Sequence, residues 1–159
     1  TVNGVDKTAV SMKIKDKDIN MTFMLADLSV IRQVPDLKNT PDWNASIEIT
    51  KDFTTKFIKA KNALPESENF GIRCSSDVVE MIINYSTINT NRIKFEVESK
   101  GSTDMPVICF SSTLFKEILQ ANKDATSGKL EVSSAGLARV TFSGKDYSST
   151  YYLVQLQTS

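Results

Sequence analysis

Two stretches of this chain share one pattern of apolar and polar positions. Residues 47–63 read IEITKDFTTKFIKAKNA, and residues 108–124 read ICFSSTLFKEILQANKD. A shift of 61 residues aligns their apolar positions: Ile47 with Ile108, Ile49 with Phe110, Phe53 with Leu114, Phe57 with Ile118 and Ala60 with Ala121. This period is longer than the units of most solenoid proteins. We therefore expect one domain made of two similar halves.

Each half is predicted to be a short strand, a helix and three further strands, because apolar spacing of three to four marks helices and alternation marks strands. The first helix is capped by Thr50 or Asp52 and ends near Leu64, before Pro65. The second covers residues 113–123 and is capped by Ser111 or Ser112. The predicted strands are 46–50, 70–74, 78–85, 91–98, 106–110, 129–134, 137–143 and 149–157. This order predicts an α+β fold with two β-α-β-β-β halves and two helices on one face of antiparallel sheet.

The segment before the repeat has a different pattern. Residues 10–25 alternate around a polar Lys-Asp-Lys-Asp sequence and predict a hairpin. Residues 26–45 break the alternation, and Pro35 and Pro41 each remove a backbone donor. We predict an extended connector there, neither strand nor helix. Such long irregular segments are uncommon in compact domains and are often functional.

Composition excludes several kinds of site. The 159 residues include no histidine, which removes the commonest general base and metal ligand. The chain also lacks a glycine-rich phosphate loop and metal-ligand spacing, so we expect no enzyme, no cofactor and no metal. Cys74 and Cys109 lie in apolar strands and are predicted to be buried, reduced thiols, as in a cytoplasmic protein. No apolar run is long enough for a membrane span and no signal peptide is evident, so we expect no membrane partner.

The charges are balanced overall but not locally. The chain has 19 basic and 19 acidic side chains, whereas residues 50–64 hold four lysines and one acid, a local net charge of +3. On that helix the predicted apolar stripe is Phe53, Phe57, Ala60 and Leu64, flanked by Lys56 and Lys61, with Lys51 and Lys59 pointing largely away. On the second helix the predicted stripe is Leu114, Ile118 and Ala121, widened by Phe115 and Leu119, with Lys116 and Lys123 opposite it. Glu117 and Asp124 cancel the charge of those two lysines.

These lysines have two interpretations. A solvent-facing helix carries lysines in most proteins, so they can be ordinary surface residues. Alternatively, they face a phosphate backbone, where contacts carry no sequence information and a ligand can slide. The helix faces lack the aromatic residues on which single-stranded bases stack, so this interpretation favours a duplex.

The later sequence resembles that of DNA sliding clamps, the DNA polymerase processivity factors, and most of all the T-even bacteriophage type. The resemblance is carried by STLFKEILQANKD, GKLEVSS, GLARVTFSG and STYYLVQLQ. KIKDKDINMTFMLADLSVI is also similar to the last hairpin of a clamp's first domain, where it enters the interdomain connector. The resemblance implies that residues 1–27 are the end of an otherwise missing first domain. It further implies that residues 28–45 are the connector and that residues 46–159 are a complete C-terminal clamp domain.

Clamp subunits join head to tail into a ring whose helices face DNA, so the resemblance implies a function. It implies a non-catalytic subunit that encircles double-stranded DNA and tethers the replicative DNA polymerase in the cytoplasm of a bacterial host. The implied partners are duplex DNA, the polymerase, a clamp loader and further subunits. The DNA-facing residues would be Lys51, Lys56, Lys59, Lys61, Lys116 and Lys123. A pocket for client peptides would include Val30, Ile31, Val34, Val154 and Leu156.

One alternative function belongs to another class. The duplicated α+β fold could serve a non-catalytic phage structural or protein-interaction module, in which the helix lysines are merely solvated. For the chain as given, lacking a first domain, the clamp interpretation predicts a monomer or a non-native dimer, because a closed ring needs both complementary edges.

Overall fold

The computed structural model describes residues 2–5, 8–30, 39–75, 78–88 and 90–157, whose strands form three antiparallel sheets. The strands are β1 (Val2–Val5), β2 (Thr8–Lys15), β3 (Asn20–Met24), β4 (Ala45–Glu48), β5 (Asn69–Ser75), β6 (Val78–Ile83), β7 (Ile93–Val97), β8 (Met105–Ser111), β9 (Ser127–Ser133), β10 (Leu137–Ser143) and β11 (Ser148–Val154). The helices are α1 (Lys51–Ala63) and α2 (Ser112–Ala121). The chain forms two compact units, Thr1–Thr40 and Pro41–Ser159.

The second unit contains two four-stranded sheets. We name them the β4 sheet, with strand order β11-β10-β9-β4, and the β7 sheet, with strand order β7-β6-β5-β8. Each sheet therefore combines three strands of one half of the repeat with the first strand of the other half. This exchange of first strands ties the two halves into one folding unit.

One hydrophobic core joins both sheets and both helices. Five phenylalanine rings form its centre, with ring centroids of neighbours 4.8–6.5 Å apart: Phe53, Phe57, Phe70, Phe110 and Phe115. Inward-facing residues of both sheets, such as Ile72 and Leu130, are completely buried in the same core. Because α1 and α2 contribute rings to one cluster, the two helices pack side by side on the same core.

The edges of the two sheets also meet. The Leu156 N–H, just after β11, donates to the Cys109 carbonyl of β8 at 2.8 Å. On the opposite side, the Lys100 N–H donates to the Ser46 carbonyl of β4 at 2.9 Å, next to an isolated bridge between Ile47 and Ser99. These bonds satisfy backbone groups that the sheet edges would otherwise leave unpaired.

The first unit is a three-stranded sheet with strand order β1-β2-β3. Its central hairpin pairs Met12 with Phe23 and Ile14 with Met21, and the turn is closed by a 2.9 Å bond from the Asp16 N–H to the Ile19 carbonyl. Ile14, Met21 and Phe23 are each about half exposed. This apolar face is therefore open to solvent in the unit as described.

Most of the predicted elements are confirmed, and their observed ends differ from the predicted ends by only a few residues. The hairpin within residues 10–25 forms, and the helix caps are Thr50 and Ser111, each accepting from a backbone N–H three residues later. The prediction of no helix in the connector is wrong at Leu28–Val30, which forms a 3-10 turn because Asp27 accepts a bond from the Ser29 N–H. The rest of that prediction falls partly on residues 31–38, which lie outside the described residues.

The predicted stripe of the second helix is confirmed only in part. Phe115 and Leu119 are the buried apolar positions of α2, and Ile118 packs partly buried against the core. Leu114 is 53% exposed, and Ala121 is exposed as well. The first buried ring follows its cap by three residues in α1 and by four in α2. Since each residue turns a helix by 100°, α2 is rotated about its axis relative to α1.

Candidate nucleic-acid interface

The exposed face of α1 carries three lysines. The Thr50 side chain accepts a bond from the Phe53 N–H at 3.1 Å and so fixes the start of the helix at Lys51. With Phe53 and Phe57 buried, Lys51, Lys56 and Lys59 extend into solvent. For Lys51 and Lys59 this agrees with the expected direction, away from the apolar stripe, and Lys56, expected beside the stripe, is exposed as well.

One acid moderates this basic face. The Lys56 ammonium lies 2.7 Å from the Asp52 carboxylate, and both side chains are more than half exposed. An exposed pair of this kind contributes little to stability and is easily exchanged for another ionic contact. The exposed face of α1 therefore holds three cations and one anion, a net charge of +2.

Lys61 does not share this face. It is only 7% exposed, and its ammonium donates a 2.7 Å bond to the Pro65 carbonyl just beyond the helix. This hydrogen bond satisfies a backbone carbonyl just after the C-terminus of α1, where a cation is favourable. The expectation that Lys61 faces DNA does not agree with this burial, and its observed role is to close the end of the helix.

The second helix places its lysines differently from the expectation. Because the buried stripe is centred on Phe115, Lys116 lies on the side toward α1, half-buried, and donates to the Asn62 side-chain oxygen at 2.7 Å. Lys123 is exposed but lies beyond Ala121, the last residue of α2. Glu117 is also exposed, so α2 adds no net positive charge to the surface.

The residues expected in a client pocket are placed only in part. Val154 is 71% exposed at the end of β11 and Leu156 is 36% exposed just after it. Val30, in the other unit, is exposed as well, and Ile31 and Val34 lie outside the described residues. The pocket itself therefore stays a prediction.

The outer side of the β4 sheet carries a charged network that the sequence pattern did not single out. Glu131 is almost fully buried, with one oxygen 2.7 Å from Lys129 and the other 2.6 Å from Arg139. Burial raises the pKa of Glu131, but the hydrogen bonds and charges of those two cations outweigh it and hold the pKa below its ordinary value. The Arg139 guanidinium also lies 4.8 Å from the centre of the Trp43 ring.

A shallow trough of about 740 Å³ lies over this network, lined mainly by hydroxyl and charged side chains. The alternation of residues 129–131 and 137–143 could have indicated that Lys129, Glu131 and Arg139 share a face. Their closeness depends on the β9–β10 register, which pairs Glu131 with Arg139. Within the described residues, no group of three or more His, Cys, Asp or Glu side chains is arranged to hold a metal ion.

Among the described residues, no helix is both long and apolar enough to cross a membrane. No family model matches the sequence, and no curated protein matches it either.

Solved structures, however, share the fold. Proliferating cellular nuclear antigen from Entamoeba histolytica superposes with a TM-score of 0.61 at 17% identity, over 89% of this chain and 57% of that one. The PCNA2–PCNA3 complex from Sulfolobus tokodaii gives 0.67 at 11% identity, over 91% and 60%. The DNA polymerase III beta chain from Streptococcus pneumoniae gives 0.64 at 13% identity, over 99% and 41%. This chain has the clamp fold of those structures and spans about two-fifths to three-fifths of their length.

Proposed function

We propose that this chain is part of a sliding-clamp subunit, which encircles duplex DNA and tethers a replicative DNA polymerase. The observation that carries the proposal is the packing of α1 and α2 side by side on one core, with Lys51, Lys56 and Lys59 exposed on α1. It occurs in a fold that the chain shares with solved clamp structures. The assignment to the T-even phage type rests on the sequence resemblance of the second helix and the last three strands.

The mechanism we propose is geometric. A closed ring stays on DNA because leaving requires the ring to open, so its contacts with DNA need little affinity. Ammonium groups on long flexible side chains make weak, salt-screened contacts with phosphates and carry no sequence preference. Three exposed lysines and a net charge of +2 on α1 suit such a contact.

Ring formation needs an edge that can accept another subunit. In the described part of the chain, β7 is the last strand of its sheet and no strand pairs with its outer edge. A strand from a neighbouring subunit could extend the sheet there. We propose head-to-tail self-association through this edge in the intact protein.

A second clamp-like domain is supported by a correspondence between two hairpins. Shifted by 128 residues, the β2–β3 pair of Met12 and Phe23 falls on the β10–β11 pair of Val140 and Tyr151. The turn bond from Gly144 to Tyr147, at 2.8 Å, likewise matches the bond from Asp16 to Ile19, at 2.9 Å.

In β10 the apolar face of the hairpin is buried by the core, whereas in β2 the corresponding face is open. We therefore propose that residues 1–27 end another clamp domain. In this proposal residues 28–45 connect the two domains, and residues 46–159 form the clamp domain described above.

The remaining partners follow from the same proposal. We propose, from the sequence resemblance, that the polymerase and other clients bind the connector residues Val30, Ile31 and Val34 and the C-terminal residues Val154 and Leu156. A clamp loader would open the ring onto DNA.

The DNA contact can be tested by charge neutralisation. We would compare Lys51→Gln/Lys59→Gln with a matched control, Lys94→Gln/Lys145→Gln, whose lysines lie on β7 near Glu80 and in the exposed turn between β10 and β11. Fluorescence anisotropy with a labelled duplex at several salt concentrations would measure binding. We expect the first variant to bind several-fold more weakly and to lower the salt slope by about one per lysine. The proposal would be contradicted if both variants lost affinity for the duplex equally, or if neither variant lost affinity.

The absence of net positive charge on α2 favours a second candidate, a protein-interaction module in which the lysines are only solvated. That function predicts no change in either variant, provided that circular dichroism shows both to be folded.

A further inference from the structure

We infer that the trough on the outer side of the β4 sheet binds an extended acidic segment of a client peptide, with its carboxylates over Lys129 and Arg139. The inference rests on the proposed function only in naming the client as the source of the peptide. The binding itself is a property of this surface and can be measured without DNA.

The lining of the trough is polar and charged, and an apolar pair of residues borders it. Residues that alternate along a strand share a face, so Leu137, Arg139 and Thr141 of β10 point to the same side. Their cross-strand partners on β11 are Val154, Tyr152 and Thr150. Leu137 and Val154 are not part of the lining but adjoin it on the same side of the sheet, and exposed Val154 is open to contact.

The basic part of the lining consists of the partly exposed cations Lys129 and Arg139 above the buried carboxylate of Glu131. Both oxygens of Glu131 are already occupied, by Lys129 and Arg139 at 2.7 and 2.6 Å. The Glu131 side chain is only 8% exposed, whereas those of Lys129 and Arg139 are 53% and 30% exposed. An approaching ligand therefore meets the cations rather than the carboxylate.

The charge count of the lining favours an anionic ligand. Three cations, Lys100, Lys129 and Arg139, face two anions, Glu48 and Glu131, which leaves one positive charge in excess. Lys100 and Glu48 are 3.9 Å apart and highly exposed, so either can turn away at little cost. Charge complementarity of this kind selects acidic over neutral or basic segments.

The arrangement also fits the spacing of an extended peptide. Side chains two residues apart lie on one face of a strand, about 6–7 Å from each other. A peptide with leucines at two alternate positions and aspartates at the next two would place its leucines near Val154 and its aspartates near Arg139. A helix would turn most of these side chains away from a flat sheet face.

Trp43 offers a reporter at the site. It is the only tryptophan of the chain, and its ring lies 4.8 Å from the Arg139 guanidinium. A carboxylate that draws Arg139 toward the trough changes the surroundings of the indole. Binding should therefore change the emission of Trp43.

The experiment uses the chain with two synthetic peptides, Ser-Leu-Ser-Leu-Ser-Asp-Ser-Asp and its analogue with Asn in place of both Asp. Affinities would be measured by Trp43 fluorescence and by calorimetry at low and moderate salt. At low salt we expect the acidic peptide to bind at least about fivefold more tightly than the Asn analogue. This difference in affinity should shrink as the salt concentration rises. Equal affinities, or no binding of either peptide, would overturn the inference.

Variants locate the contact. Lys129→Gln should remove most of the advantage of the acidic peptide, and Lys145→Gln, the same change in an exposed turn outside the trough, should retain it. Equal effects of the two substitutions would also overturn the inference. None of these measurements involves the lysines of α1. Peptide binding in the trough and DNA binding by α1 can therefore be confirmed or contradicted independently.

Discussion

Phe57 of α1 and Phe115 of α2 pack edge to face, with ring centroids 4.8 Å apart. Both rings are fully buried, and each also contacts Phe70 of β5. The contact holds the two helices side by side on one core. The helix faces that point away from the core therefore form a single surface. The candidate DNA contacts, Lys51, Lys56 and Lys59, all lie on α1, and this arrangement places α2 beside them on the same side of the core.

Substitutions in α2 should show that Phe115, and not Leu114, contributes to the stability of the core. Phe115→Ala should lower the free energy of unfolding by about 3–5 kcal/mol, because it leaves a cavity beside three other rings. Leu114→Ala should cost less than about 1 kcal/mol, because Leu114 is largely exposed. Urea unfolding followed by circular dichroism would measure both. Should Phe115→Ala fail to fold, Leu119→Ala, with an expected cost of about 2–5 kcal/mol, replaces it.

The Glu131 network should make part of the stability depend on pH. The pKa of Glu131 in the folded protein lies below its ordinary value of 4.5. Its contribution is therefore complete above that value and is lost as the pH falls through the folded-state pKa. The difference in unfolding free energy between the natural protein and Glu131→Gln should shrink between pH 6 and pH 3. A difference that stays constant over this range would show that the charge of Glu131 contributes nothing.

A side chain at position 71 should destabilise the protein. A Cβ atom there would lie 2.6 Å from Val107 Cγ1 and 3.2 Å from Tyr85 Cβ. Gly71→Ala should therefore cost about 1–3 kcal/mol of stability through overcrowding. In a double-mutant cycle, the same change should cost less in a Val107→Ala background. Independent, additive effects would place the cause elsewhere.

Both cysteines should resist alkylation in the folded protein. Cys74 and Cys109 are buried, and burial raises the pKa of Cys109 to about 11. Thiolate, the reactive form, is therefore scarce at neutral pH, and reagent has no access. Mass spectrometry after iodoacetamide treatment at pH 8 should find neither thiol modified in the native protein and both modified in urea. Rapid native modification of Cys109 would mean that the segment around Leu156 opens readily.

Much of the fold could be predicted from the sequence because its signals are local. Alternation located β7 and β10, and hydroxyl caps located the starts of both helices. The rotation of α2 could not be read in this way. Leu114, Phe115, Ile118 and Leu119 are all apolar, so several faces of the helix could have been buried. Packing against Phe57 and Phe70 selects Phe115.

The candidate site shows the same division. Exposure of Lys51 and Lys59 follows from their position opposite Phe53 and Phe57. The burial of Lys61 depends on the chain turning at Pro65, and the position of Lys116 depends on the neighbouring helix. Contacts between segments distant in sequence cannot be inferred from periodicity within one helix.

The most direct test of the central claim is to map the DNA contact on the protein by nuclear magnetic resonance. The labelled chain would be titrated at low ionic strength with a duplex of about 20 base pairs of arbitrary sequence. The clamp proposal predicts shifts concentrated at Lys51, Lys56 and Lys59 and along the exposed side of α1, unchanged when the DNA sequence is replaced. Shifts confined to the outer sides of the sheets, or no shifts at all, would contradict it.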